Sequence, residues 1–191
     1  MLRNALYKDY TDEQLLLQIS SESSGAFDEL YFRYGQKMFS YFFRMLWKDK
    51  QLAEDLTQEL FLKIMKNAQA FSAGRSFTTW VYSIAHNMCK NEYRKKETRL
   101  KHHEMSKGNN FITEASNPDL KRFKTALHQC TSELSEEKRS LFLLRFQENL
   151  SVPEISSILN IAEGTVKSRI FYLLKEMKDK LKEFETLHIY P

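Results

Sequence analysis

The feature of this sequence that most limits its possible folds is the pattern of residues 150–184, which predicts two short helices joined by a tight turn. Ser151 and Glu154 have the spacing of a capping box, in which each side chain accepts a backbone N–H of the other residue. Pro153 lies in the first helical turn, where its missing N–H costs little. Asn160 is predicted to end the first helix, since Asn tolerates a left-handed backbone better than most residues.

The second helix of this pair begins near residues 163–165 and is amphipathic. Its apolar residues recur at helical spacing and predict one buried stripe. The residues expected to face inward are Val166, Ile170, Leu173, Leu174, Met177 and Leu181.

The opposite face of the second helix combines aromatic, hydroxyl and basic side chains. In a helix-turn-helix this face enters the major groove, where a Phe can touch a thymine methyl and basic residues can hold phosphates. A solvated face with a stray aromatic, or a docking face for another protein, are the alternatives. We favour DNA, because turn, cap and basic flanks agree. The face comprises Ser168, Phe171, Tyr172 and Lys175, flanked by Lys167 and Arg169.

Composition favours a helical protein of one or two domains with a nucleic-acid partner. The chain has 191 residues, a formal net charge of +4, and only five Gly and three Pro. A mild excess of base suits DNA without requiring it, and few turn residues argue against a many-turned β fold. Cys89 and Cys130 set no disulfide framework, as in a reducing cytosol. With no signal peptide and no spanning apolar run, we expect a cytoplasmic protein.

Before residue 97 the pattern predicts a bundle of four helices. Thr11 and Gln14 form a second capping-box pattern, which opens the first helix. Aromatic density in the second helix indicates core packing rather than a ligand site. The predicted helices span residues 11–20, 26–47, 52–71 and 77–99, and the predicted core includes Tyr31, Tyr34, Phe42, Leu56, Leu60, Ile64, Met65, Trp80 and Val81.

The third helix carries Asp55, Gln58, Glu59 and Leu62 on one face, away from its apolar stripe. Polar and acidic groups around an exposed Leu are typical of a contact surface for a basic partner. An ordinary solvated acidic face is the alternative, and the residues alone favour that alternative.

The fourth helix has a polar side formed by Asn87, Lys90, Asn91 and Arg94, and basic residues outnumber acidic ones between positions 90 and 107. Such a helix end suits a phosphate backbone. The alternative is that these basic residues complement the dipole at the end of the helix and keep the following linker soluble.

Residues 97–118 lose helical periodicity and predict a flexible linker. We therefore expect an all-α fold of two small helical domains, residues 1–96 and 119–187, the second ending in the helix-turn-helix. Its first two helices are predicted over residues 119–132 and 135–146.

No pattern predicts catalysis, a cofactor or a metal. Neither a P-loop nor a GxGxxG motif occurs, and His102-His103-Glu104 lacks the spacing that places two His on one helical face. His86 and Cys89 lie three residues apart on a helix, but no second pair joins them as zinc ligands. We expect a protein that is not an enzyme.

Three ordered segments resemble bacterial RNA polymerase sigma factors of the small extracytoplasmic-function (ECF) class. Residues 52–62 resemble the second conserved region, residues 77–87 the adjacent promoter-reading segment, and residues 163–169 the fourth region. Each alone is weak, but the three in this order are specific.

The resemblance implies that the chain binds core RNA polymerase, through its clamp coiled coil and flap, and directs promoter recognition, DNA melting and initiation. The resemblance favours a contact surface, rather than an ordinary solvated acidic face, on the third helix. It implies roles for three sets of residues: Asp55, Gln58, Glu59 and Leu62 at the polymerase; Phe71, Arg75, Ser76, Asn87, Lys90, Asn91 and Arg94 at the minus-ten element, including a pocket for a flipped base; and Thr165, Lys167, Ser168, Arg169, Phe171, Tyr172 and Lys175 at the minus-thirty-five element.

The family further implies an anti-sigma protein as a partner, although no residue of this chain points to one. Two other readings remain open. A stand-alone dimeric helix-turn-helix regulator would need a dimer surface, and we see no free apolar stripe for one. A protein-docking adaptor would make the basic helices incidental.

Overall fold

A computed structural model describes residues 5–21, 23–71, 74, 76–100 and 118–184. The described residues form helices and turns without strands, as the sequence predicts. The helices are α1 Asp12–Ser20, α2 Ser24–Met45, α3 Lys50–Asn67, α4 Phe77–Leu100, α5 Pro118–Ser132, α6 Glu136–Phe142, α7 Val152–Leu159 and α8 Glu163–Lys180. Within these residues, no helix is both long enough and apolar enough to cross a membrane.

The chain divides into two compact units. The first contains α1 to α4, and the second contains α5, α6, most of α7 and α8. Helix α4 continues to Leu100, so the first four residues of the predicted linker are helical. Residues 101–117, the rest of that linker up to Pro118, lie outside the described part of the chain.

Local capping determines where the helices of the first unit begin. The Thr11 and Gln14 capping box is present at α1, as predicted. Helix α2 begins before the predicted start, because the Ser23 side chain accepts the N–H of Ala26. Asp49 caps α3 in the same way. Two consecutive residues with positive φ, Trp47 at 50° and Lys48 at 61°, then separate α2 from α3.

The core of the first unit lies around α2, which packs against α1, α3 and α4. Two predicted core residues are wrong: Tyr31 is 38% exposed and Met65 is 48% exposed. Tyr31 instead covers Phe61 from outside, with ring centroids 4.7 Å apart. The largest fully buried side chains in this unit include Leu15, Leu16, Leu30, Met38, Tyr41, Phe42, Leu60, Phe77 and Tyr82.

Arg33 of α2 ties the N-terminal segment to the bundle. Its guanidinium donates to Asp12 at 2.8 Å and to Glu29 at 2.9 Å. It also donates to the backbone carbonyls of Tyr7, Lys8 and Tyr10. A planar guanidinium has five donors, so one side chain can hold residues 7–12 in a fixed path.

In the second unit, α6 begins at an N-cap, Ser135, and continues as a π-helix, Leu143–Gln147. Val166, Leu173 and Met177 of α8 are buried, as predicted, but Leu174 is 45% exposed. A helix turns by about 100° per residue, so Leu174 points away from the side on which Leu173 packs. The prediction of Leu174 as core is therefore wrong.

Candidate functional site

Helices α7 and α8 form the predicted helix-turn-helix. The capping box of Ser151 and Glu154 is present, and Pro153 lies in the first turn of α7. Asn160 adopts the left-handed conformation, with φ of 53° and ψ of 50°. The Ser156 hydroxyl donates to the carbonyl of Ile161 at 2.6 Å and closes the turn. These contacts fix the direction in which α8 leaves the turn.

The outer face of α8 carries two large aromatic residues in water. Phe171 is 64% exposed and Tyr172 is 66% exposed. Lys167, Ser168, Arg169 and Lys175 are exposed beside them, and Thr165 is half-buried. Neighbouring apolar rings exposed at this level are typical of a contact surface rather than of a solvated helix face. This face can offer thymine-methyl contacts, hydroxyl hydrogen bonds and phosphate contacts.

Three ion pairs connect α8 to α6 and to the turn before α6. Lys138 pairs with Glu176 at 2.5 Å and Lys180 with Glu133 at 3.0 Å, while Arg169 lies 3.4 Å from Glu137. All are exposed, so they orient α8 more than they stabilise it. Arg169, a predicted DNA contact, therefore has an acidic partner that the sequence analysis did not identify.

A second exposed surface lies on α3. Asp55, Gln58, Glu59 and Leu62 share one exposed side, and Leu62 is 55% exposed. Met65, which the sequence analysis placed in the core, extends the same side. Glu59 pairs with Lys63 at 3.1 Å within the helix. Acidic groups around exposed apolar side chains can bind a basic helical partner.

A third surface is the polar side of α4. Asn87, Lys90, Asn91 and Arg94 are all exposed there. Lys96, two residues after Arg94, is directed elsewhere: its ammonium lies 3.7 Å from the centre of the Trp47 ring. The Trp47 ring also packs on Tyr93, with centroids 5.0 Å apart. This packing anchors the basic half of α4 to the turn between α2 and α3.

Aromatic packing also fixes the segment just before α4. The ring of Phe71 meets Trp80 edge to face at 5.4 Å, and Trp80 lies 5.9 Å from Phe77. Trp80 is half-buried, which fits the predicted packing role. Ser76 is exposed and its carbonyl accepts the N–H of Trp80. Arg75, the remaining predicted minus-ten residue, lies outside the described residues.

His86 and Cys89, three residues apart on α4, lie within the first unit. Cys89 is fully buried, and no cluster of metal-ligating side chains occurs among the described residues. Burial, with a smaller effect from the charge of Lys90, lowers the pKa of His86 to about 4. His86 is therefore neutral at physiological pH.

Comparison with known protein families accounts for both units. The family Sigma-70 region 2 matches residues 30–99, and the family Sigma-70, region 4 matches residues 124–177. The chain belongs to the sigma-70 family. The predicted polymerase and minus-ten residues all lie in the first match, and the predicted minus-thirty-five residues all lie in the second.

Two curated relatives extend the similarity across most of the chain. It is 29% identical over 171 residues to RNA polymerase sigma-H factor of Pseudomonas aeruginosa, covering 84% of this chain and 88% of that protein. It is 28% identical over 178 residues to ECF RNA polymerase sigma factor SigW of Bacillus subtilis, covering 87% and 94%. The predicted membership of the ECF class is confirmed.

Two solved structures share the fold. One is CnrH in complex with the cytosolic domain of CnrY, with a TM-score of 0.67, 19% identity, and coverage of 90% of this chain and 97% of that chain. The other is the sigma factor RpoE from Bartonella quintana in complex with the anti-sigma factor NepR, with a TM-score of 0.67, 21% identity, and coverage of 82% and 96%. The predicted all-α fold is confirmed.

Proposed function

We propose that this chain is the specificity subunit that binds core RNA polymerase and directs it to promoters recognised by an ECF sigma factor. One observation carries the proposal: the region 2 match lies in one compact unit and nearly all of the region 4 match in the other, and each unit has an exposed helix face with charged and apolar side chains. Catalysis then belongs to the polymerase, and this chain contributes recognition and DNA melting.

Polymerase binding is assigned to the exposed side of α3. Asp55, Gln58 and Glu59 supply acceptors and charge for a basic coiled-coil surface on the clamp, and Leu62 supplies apolar area at its centre. Removing such an apolar side chain from water contributes about 25 cal/mol per Å². The flap of the polymerase is the proposed partner of the second unit.

Minus-ten recognition is assigned to the start and the polar side of α4. Phe71, Arg75 and Ser76, with Asn87, would receive a base flipped out of the stack. Flipping costs a few kcal/mol, so contacts in the pocket must offset that cost. On the exposed polar side of α4, Lys90, Asn91 and Arg94 are placed to hold the adjacent phosphates.

Minus-thirty-five recognition is assigned to the outer face of α8. Phe171 and Tyr172 would contact base edges and methyl groups, and Lys167, Arg169 and Lys175 would contact phosphates. Thr165 and Ser168 add hydroxyl groups near the start of the helix. We further propose domains of residues 1–96 and 119–187 with a tether between them. Two weak DNA contacts then act together through effective concentration.

An anti-sigma protein is a further proposed partner, because RpoE of Bartonella quintana forms such a complex. A protein that works with polymerase on chromosomal promoters acts in the cytoplasm, which is the localisation that we propose. No cofactor is assigned to the chain.

Transcription with purified core polymerase tests this function directly. Genomic DNA fragments are transcribed with and without the full chain, and new transcript starts are sequenced. We expect starts that share two spaced promoter elements and that depend on both the chain and the polymerase. Tight binding of the chain alone to a palindromic site, with no new starts, would instead identify a stand-alone regulator.

A further inference from the structure

The N-terminus of α4 is capped by a side chain from a distant part of the sequence. Glu13 of α1 accepts the backbone N–H of Phe77, the first residue of α4, at 2.9 Å across 64 positions. The first turn of α4 contains no acidic residue of its own. A carboxylate at this end satisfies an N–H that has no partner within the helix, and it complements the helix dipole. This hydrogen bond is the largest of the influences that lower the pKa of Glu13.

A second link between α1 and α4 reaches Thr78, the next residue of α4, through Tyr34 of α2. The Tyr34 hydroxyl donates to Asp12 at 2.5 Å and lies 2.8 Å from the Thr78 hydroxyl. Since Tyr34 donates its hydrogen to Asp12, the Thr78 hydroxyl donates to Tyr34. Burial, with the Asp12 hydrogen bond, raises the pKa of Tyr34, so this hydroxyl stays protonated. Glu13 thus holds Phe77 directly, and its neighbour Asp12 holds Thr78 through the Tyr34 hydroxyl.

The start of α1 is itself fixed in place. Arg33 binds the side chain of Asp12 and the carbonyls of residues 7, 8 and 10. Leu15 and Leu16 of α1 are fully buried. Glu13 therefore extends from a rigid support, and it can restrain the end of α4 rather than follow it.

We infer that Glu13 is a positioning residue for minus-ten base recognition. It fixes the N-terminus of α4, and with it Ser76, the exposed residue immediately before that helix. Ser76 and Phe71 are among the residues to which the proposed function assigns base capture, so the inference rests on that function. A displacement of about 1 Å in a side chain that contacts the base is enough to weaken its recognition strongly.

The test uses holoenzyme assembled from core polymerase and the full chain. Fluorescent single strands carry either a minus-ten element, taken from a promoter mapped with this chain, or the same element with its flipped base substituted. The ratio of the two dissociation constants measures base selectivity. Affinity for core polymerase and hydrogen exchange at the Phe77 amide are measured in parallel.

For Glu13→Ala we expect selectivity to fall by about tenfold or more, as for loss of a charge-assisted hydrogen bond, with affinity for core polymerase unchanged. Exchange at the Phe77 amide should accelerate. Glu13→Gln keeps an acceptor oxygen of the same shape and should restore most of the selectivity. Gln14→Ala is the matched control, because it removes the bond from the Thr11 N–H in the capping box of α1 without removing a contact of Glu13 or of α4.

Equal loss of selectivity in Gln14→Ala and Glu13→Ala would overturn the inference, because general loosening of α1 would then explain the effect. Unchanged selectivity in Glu13→Ala would overturn it as well. If the Glu13→Ala variant does not assemble with core polymerase, the Glu13→Gln variant provides the test. The inference then requires that hydrogen exchange at the Phe77 amide and base selectivity both stay near their wild-type values in Glu13→Gln. Absence of selectivity in the wild-type holoenzyme would refute the proposed function itself.

Discussion

The rings of Phe171 and Tyr172 meet edge to face on the outer side of α8, with centroids 5.5 Å apart and planes at 77°. Each ring packs on the other and holds its orientation, while both remain exposed to water. An exposed aromatic pair at the centre of a helix with basic flanks is poised for contact with DNA. Truncating one ring removes both its own contact and the support for the other.

Phe171→Ala should relax sequence selectivity at the minus-thirty-five element. A lost base contact costs about 1–3 kcal/mol at one position, and positions beyond the reach of this aromatic pair should be unaffected. Lys167→Ala should instead weaken binding to all sequences and reduce the salt slope by about 1. Holoenzyme binding to a set of single-base promoter variants at several salt concentrations separates the two effects. Uniform loss across all promoter variants for both substitutions would count against base readout by Phe171.

Asp55→Ala and Glu59→Ala should each weaken holoenzyme assembly while leaving the fold intact. Both side chains are exposed, so their loss removes few internal contacts and changes stability by less than about 0.5 kcal/mol. Assembly is measured by competition for core polymerase, and folding by thermal melting. Asp9→Ala is the control, since it removes one exposed acidic charge away from this surface. The polymerase role of α3 fails if assembly is unchanged in both α3 variants.

Two ion pairs, each between residues four positions apart, should contribute very differently to the free energy of unfolding. Glu29 and Arg33 are 1% and 22% exposed, whereas Glu54 and Lys50 are 49% and 75% exposed. Arg33→Met should lower the free energy of unfolding by about 3 kcal/mol, because a buried carboxylate loses its cation. Glu54→Ala should change it by less than about 1 kcal/mol. Urea denaturation at neutral pH measures both, and similar values for the two would contradict this account.

His86 should make the fold less stable in mild acid. Its folded pKa of about 4 lies below the ordinary value of 6.5, so the unfolded chain binds the proton more readily. The contribution of neutral His86 to the free energy of unfolding is therefore fully present above about pH 6.5. It falls as the pH decreases toward 4, by up to about 2 kcal/mol at pH 5. Urea denaturation of wild type and His86→Gln at about pH 7.5 and pH 5 tests this. The variant should lose less stability between the two values, and an equal loss would exclude His86 as the cause.

Ser151→Ala should destabilise the second unit by about 1 kcal/mol, because the start of α7 loses its cap. Ser157→Ala is the control within the same helix, as Ser157 is exposed and Ala favours helices. Thermal melting of both variants in the full chain gives the comparison. A larger loss from Ser157→Ala than from Ser151→Ala would show that the capping box is not what stabilises this end.

Helix positions and caps were predictable because their causes are local. The capping boxes at Thr11 and Ser151 and the left-handed Asn160 all follow from residues within one turn of the chain. The exposed sides of α3, α4 and α8 were predictable for the same reason, since helical spacing sorts apolar from polar residues. The roles of these sides came from the family resemblance, and they stay predictions at the level of single residues.

Residues at the edge of an apolar stripe were not predictable. Tyr31, Met65 and Leu174 continue a hydrophobic pattern, yet each is exposed. A helical stripe is wider than the area that its neighbours cover, so the position of the neighbouring helices decides which edge stays in water. The Trp47 contact with Lys96 was missed in the same way, because it joins a turn to a distant helix.

The sequence by itself determined the helices, their order, the two capping boxes and the family, because those depend on spacing within short segments. Only the tertiary structure decided that Glu13 caps α4, that Arg33 holds residues 7–12, and that Arg169 has an acidic partner. Such contacts join positions that are far apart in the chain. They exist only once helix packing has fixed the distance and direction between the two side chains.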